Sequence, residues 1–203
     1  MVRPSFQLIS FSVLLLGVSL GSSAEVPADD NYLPLSKGAE WTMDAELVSP
    51  EGGITKATAK RLVGDEVERN GKIYHRTHTW IEGAPFKFEY SKLTRKDATG
   101  FYSIDEREEN GTEQMEVKLP LKVGEQWERQ AGGILMKESI VGIETVTVGS
   151  KTYENCYHIR SAAADGSYVE DYWEAPNVGS VKSQSSYKVG SKNLLTIRKF
   201  KKP

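Results

Sequence analysis

The pattern Leu-Pro-Leu-x-x-Gly-x-x-Trp occurs twice, at 33–41 ("LPLSKGAEW") and 119–127 ("LPLKVGEQW"), with the copies starting 86 residues apart. Taken as a period, that spacing divides the chain into 32–117 and 118–203. Looser echoes agree: Val-Gly at 63–64 and 141–142, and "NGKIY" (70–74) against "VGSKTY" (148–153). Two copies are too few for a solenoid, so the repeat points to two half-domains that share one core. Each element of the motif has a physical use. Pro34 and Pro120 hold φ at about −65° and push the preceding leucine into an extended shape. In an extended segment Leu33 and Leu35 point to the same side. Gly38 and Gly124 can take the positive φ that a turn requires. Trp41 and Trp127 then fall just inside the next strand. The leucines and the tryptophan are expected to close one end of the core.

The rest of the chain alternates with the period of a half-buried strand. "FKFEY" sends Phe86, Phe88 and Tyr90 to one face, and "IYHRTHTW" sends Tyr74, Arg76, His78 and Trp80 to one face. Turn signals such as "SPEGG", "RNGK", "KDATG", "ENGT", "AADGS" and "APNVG" separate these runs. Regularly spaced short strands predict an all-β domain of about a dozen strands, six per copy. No segment carries an apolar stripe of helical period, and no Ser/Gly-rich linker separates the copies. The expected fold is a curved antiparallel sheet, half-barrel or barrel-like, built from two six-strand repeats.

Residues 1–24 read as a secretory signal peptide: Arg3, the apolar run "FQLISFSVLLLGVSLG", then Ser22-Ser23-Ala24 as a small-residue cleavage site. Residues 25–203 are then one β domain, exported to the periplasm or the extracellular space, with no transmembrane segment in the mature chain. Its single cysteine, Cys156, means that packing rather than disulfides must hold it together. A formal charge of −2 argues against nucleic acid as a partner. The basic tail "RKFKKP" reads as a solvated end.

"YWEAPNVGSVKSQ" (172–184), taken with "LPLKVGEQW" and "YENCYHI" (153–159), resembles a broad group of exported bacterial β-rich proteins of unknown function. In that group a PLxxGxxW segment precedes a β-meander and a YWxAPxVGxV strand lies near the end. Such proteins are distantly similar to periplasmic lipoprotein-carrier folds. The resemblance implies a curved sheet able to shelter an acyl chain. No cysteine stands near the cleavage point to carry a lipid anchor.

The candidate chemistry is sparse. His75 and His78 are three apart, so on a strand they take opposite faces and share no metal. Cys156 and His158 share a face, yet an unpaired strand cysteine reads as buried and inert. The acidic runs "DEREE" (105–109) and "YVEDYWE" (168–174) could supply paired carboxylates, but read as a solvated face. Asn110 heads an Asn-Gly-Thr glycosylation acceptor that also reads as a hairpin turn. No phosphate-binding loop, dinucleotide fingerprint, zinc-protease motif, nucleophile elbow or paired-cysteine motif is present. The reading is a non-enzymatic exported envelope protein with no catalytic residues, metal or cofactor. Its expected partner is an apolar small molecule or lipid, lined by Tyr74, Trp80, Phe88, Tyr157 and Trp173. The alternative is an envelope structural or protein-interaction module with no small ligand.

Overall fold

A computed structural model describes residues 32–107 and 111–203. The signal-peptide segment and Asn110 lie outside the described residues. The chain forms twelve strands and, among the described residues, no helix: β1 Glu40–Val48, β2 Ile54–Arg69, β3 Lys72–Glu82, β4 Phe88–Asp97, β5 Gly100–Asp105, β6 Gln114–Lys118, β7 Gln126–Ala131, β8 Ile134–Val148, β9 Lys151–Ala163, β10 Tyr168–Ala175, β11 Gly179–Tyr187 and β12 Lys192–Lys201. All belong to one antiparallel sheet of order β6-β5-β4-β3-β2-β1-β12-β11-β10-β9-β8-β7. Two six-strand meanders thus meet at the β1–β12 ladder, and the change from one to the other falls in the β6–β7 connection.

That order leaves β6 and β7 as sheet edges, although they follow one another in the chain. Curvature brings them together, and side chains rather than a backbone ladder span the seam. The Gln130 amide donates to Gln114 Oε1 (3.0 Å), Arg129 Nε lies 3.4 Å from Glu116 Oε2, and Lys118 pairs with Glu125. The sheet is therefore a nearly closed barrel. Stitching the seam with charged side chains also blunts two edges that would otherwise invite pairing with another chain.

The repeated motif folds the same way twice. Gly38 (φ 89°) donates its amide to the Val63 carbonyl, and Gly124 (φ 87°) donates to that of Ile140, both at 2.8 Å. Ala39 N donates to Ser36 O (3.0 Å) as Glu125 N does to Lys122 O (2.9 Å). The strand answers in each case, Val63 N to Ala39 O and Ile140 N to Glu125 O. The copies differ at the Leu–Pro bond, which is cis between Leu119 and Pro120.

In this meander the turns after β2, β4, β6, β8 and β10 lie at one end of the barrel and those after the odd-numbered strands at the other. The first end is sealed by the two motifs. Leu119, Leu121, Phe101, Ile140, Tyr157, Ile159 and Tyr32 form one buried cluster, against which Leu33, Leu35 and Trp127 pack. Tyr32 meets Tyr157 edge-on (4.8 Å between centroids), and the Tyr157 hydroxyl donates to the Leu121 carbonyl (3.2 Å). Trp41 is buried beside this end and donates its indole N–H to the Val178 carbonyl (2.6 Å). Each such large apolar side chain contributes about 1.5–3 kcal/mol by leaving water. The basic tail corrects its sequence reading. It is the last part of β12, with Trp41 opposite Phe200 and their rings 5.0 Å apart. Alternation sinks Phe200 onto the core and leaves Lys199 and Lys201 in solvent.

Candidate functional site

The barrel encloses a cavity of about 380 Å³ lined from both halves. Pleat alternation selects the lining. On β10 it is Tyr168, Glu170, Tyr172 and Glu174; on β3 it is Thr77, Thr79 and Ile81. Near the odd-numbered hairpins the wall is apolar and aromatic, with Leu47, Ile81, Phe88 and Tyr187. Phe88 and Tyr187 are each 39% exposed while lining the cavity, so the cavity opens at that end. Halfway down lies a polar belt that includes Arg61, Lys92, Glu116, Arg129, Glu170 and the hydroxyls of Thr94, Ser103, Ser161 and Ser183. At the sealed end Trp41, Val63 and Phe101 surround Glu174.

Within the belt, charges pair unevenly. Lys92 Nζ donates to Glu116 Oε1 (2.6 Å). Arg129 Nε donates to Glu138 Oε1 (2.7 Å) and also faces Glu116. Ser161 donates to Glu138 (2.8 Å) and Ser103 to Glu116. Burial pushes the Glu116 carboxyl up, but Lys92 and Arg129 outweigh it and hold the group at about 2. Burial dominates at Glu138, which is raised despite Arg129. Arg61 makes no hydrogen bond or ion pair among the described residues, although its field reaches Glu170 and Glu174. Glu170 accepts from the Tyr168 hydroxyl (2.7 Å) and is raised chiefly by burial. Glu174 is 8% exposed, with Oε2 unpartnered by any hydrogen bond among the described residues. Burial pushes it up to about 8, against the opposing charge of Arg61.

These acids correct the reading of 168–174 as a solvated face. Alternation puts Asp171 outside, where it meets Arg160 (2.8 Å), but it turns Glu170 and Glu174 inward. The inner wall tolerates them because hydroxyls and a guanidinium share it. The pattern of "YVEDYWE" carried that signal in its even positions.

The five aromatic residues expected to line a ligand site are scattered. Phe88 lines the cavity mouth. Tyr157 belongs to the cluster that seals the far end. Tyr74 lies on the opposite face of the sheet, buried with Leu93 and Ile104, its hydroxyl donating to Glu113 (2.5 Å). Trp80 is on that same face, stacked on His78 (5.1 Å) and donating to Glu82 (2.9 Å). Trp173 is there too. It stacks on His158 (4.6 Å), donates to Glu144 Oε2 (2.9 Å), and carries Lys182 over its ring (4.4 Å). Tertiary curvature decided which face became the interior, and alternation alone cannot name it. Arg61, Glu170, Tyr172 and Glu174 are among the lining residues that sequence reasoning missed.

His158 sits between Glu144 and Asp171, at 2.8 Å from each, and has no bond to Cys156. The cysteine is fully buried and donates its thiol to the Tyr153 carbonyl (3.3 Å). Burial pushes the thiol up to about 11, so thiolate is scarce at neutral pH. Native-state labelling by a small maleimide is therefore expected to be at least 100-fold slower than in urea. Equal rates would revive a Cys–His nucleophile. Among the described residues no group of three or more His, Cys, Asp or Glu side chains is placed to hold a metal ion, and no helix is long and apolar enough to cross a membrane.

Neither a protein-family model nor a curated protein matches the sequence. Solved structures do match. One is a Bacteroides fragilis protein provisionally described as exported, with a YmcC-like fold: TM-score 0.51, 14% identity, 85% of this chain and 99% of that one covered. Another is a Parabacteroides distasonis protein provisionally described as a lipoprotein: TM-score 0.50, 10% identity, 84% and 98% covered. At such identities the likeness concerns the fold, and the fold it shows is this barrel over nearly the full length of both neighbours.

Proposed function

We propose that this is a non-enzymatic exported protein of the bacterial cell envelope whose barrel holds an apolar or acyl-chain molecule. The observation that carries the reading is the interior cavity, sealed at one end by both repeat motifs and open through an apolar, aromatic mouth. Its volume falls in the range of small-molecule sites. The signal-like first 24 residues and the descriptions given to the two structural neighbours support export. The two matching glycine turns support an origin of the barrel by duplication of a six-strand unit. Each CH₂ moved from water into such a site contributes about 0.8 kcal/mol, so a modest chain offsets the cost of association. The test is lipid extraction and mass spectrometry of protein purified from its native host, with titration of a fluorescent fatty acid. Co-purifying lipid and saturable fluorescence are expected. Their joint absence would favour the interaction-module reading, for which the exposed hairpin side chains Ile54, Phe86 and Val189 are the supporting observation.

A further inference from the structure

The cavity is amphipathic along its axis, in an unusual sense. Its mouth is apolar and aromatic, and its charged groups lie deeper, above the floor made by Trp41, Val63 and Phe101. A free fatty chain pushed tail-first would meet Arg61, Lys92 and Arg129 with no compensating contacts. A molecule entering head-first would put polar atoms against the belt and leave its apolar part along Phe88, Ile81 and Tyr187. The belt has a defined vacancy for charge. Glu116 and Glu138 occupy Lys92 and Arg129. Arg61 faces the same cavity, its field reaching Glu170 and Glu174, yet it forms no ion pair with either among the described residues; Glu170 accepts instead from the Tyr168 hydroxyl. A half-buried guanidinium with no partner is costly in a closed apolar space, and it is suited to bind a carboxylate or phosphate through two parallel bonds.

We propose that Arg61 receives the anionic headgroup, phosphate or carboxylate, of an amphiphile that enters the barrel head-first and keeps its apolar part at the aromatic mouth. The inference rests on the proposed carrier function and names its ligand class. Ser183 and Thr77 line the cavity beside Arg61. Burial disfavours the charged forms of Glu170 and Glu174, which weakens their competition for Arg61.

The experiment uses the full mature chain and three fluorescent dodecyl probes that differ only in the head: phosphate, hydroxyl and trimethylammonium. The phosphate probe is expected to bind about tenfold tighter than the hydroxyl probe, the gain of a charge-assisted contact, and the trimethylammonium probe weakest. Arg61→Met is expected to erase the preference, so that the phosphate and hydroxyl probes bind within about twofold of each other. Arg61→Lys should keep part of the preference, since one ammonium replaces the fork. It also provides the readout should Arg61→Met fail to fold by circular dichroism. Inorganic phosphate at millimolar concentration should not displace the phosphate probe. If it does so at the probe's own affinity, the site is one for a free anion and the amphiphile proposal is wrong. Equal binding of all three heads, or a preference that survives both Arg61 variants, overturns the assignment but leaves the carrier function standing. Failure of every dodecyl probe to bind overturns both.

Discussion

Arg129→Ala is expected to destabilise the fold by about 3–5 kcal/mol, the loss typical when one partner of a buried ion pair is removed. Arg129 is on β7, Glu116 on β6 and Glu138 on β8, so this guanidinium both crosses the barrel seam and neutralises the most buried carboxyl of the belt, at 1% exposure. Without it Glu138 keeps only the Ser161 hydroxyl among the described residues, and Glu116 relies on Lys92 and Ser103. The double variant Arg129→Met/Glu138→Leu is expected to cost less than Arg129→Ala alone, because no charge is then stranded at 138. Urea unfolding of the three proteins measures both differences. A loss below about 1 kcal/mol for Arg129→Ala would mean that water reaches Glu138 and the seam does not depend on this pair.

The second large effect concerns Glu174. Its folded-state carboxyl is raised to about 8, chiefly by burial, whereas an ordinary Glu titrates near 4.3. The folded protein therefore holds a proton that the unfolded chain releases across the interval between those values. Stability contributed by this group is fully present below the ordinary Glu range and is lost as pH rises to about 8. The slope is about 1.4 kcal/mol per pH unit and the total on the order of 3–5 kcal/mol. Glu174→Gln keeps the shape and an N–H donor but cannot ionise. It is expected to exceed the wild type by only about 1 kcal/mol at pH 5 and by that total at pH 8.5. Urea midpoints at pH 5, 7 and 8.5 give the comparison. Glu170 and Glu138 are raised by burial in the same direction, so a residual downward slope in Glu174→Gln belongs to them. Parallel pH profiles for the two proteins would place Glu174 in contact with water.

Much of the architecture was legible in the chain because β structure writes its period locally. The pairs Phe88/Tyr90 and His78/Trp80 announce extended backbone through residues two apart, and the turn dipeptides mark where strands end. The nine-residue motif was legible for a related reason. A glycine at positive φ, a proline and a tryptophan are each demanded by nearby geometry, so Gly38 and Gly124 could be matched before their identical 2.8 Å bonds were seen. The burial of Cys156 was legible from its place in an alternating strand.

The site was a different matter. Alternation sorts the residues of β10 into two sets, Tyr168, Glu170, Tyr172 and Glu174 against Val169, Asp171 and Trp173, and says nothing of which set faces inward. Hydropathy would have chosen the tryptophan. The sheet chose otherwise, because Trp173 and His158 stack under Lys182 on the outer face, where Glu144 can reach both. The direction in which the sheet curls depends on pairing between β1 and β12, about 150 residues apart, as at Trp41 and Phe200. The amino-acid order by itself determined strands, turns and the two matching motif turns, since those are settled within a few residues by φ, side-chain shape and spacing. Only the tertiary structure decided the inside of the barrel, the seam and the isolation of Arg61, because burial and charge pairing are properties of groups that meet across the closed sheet.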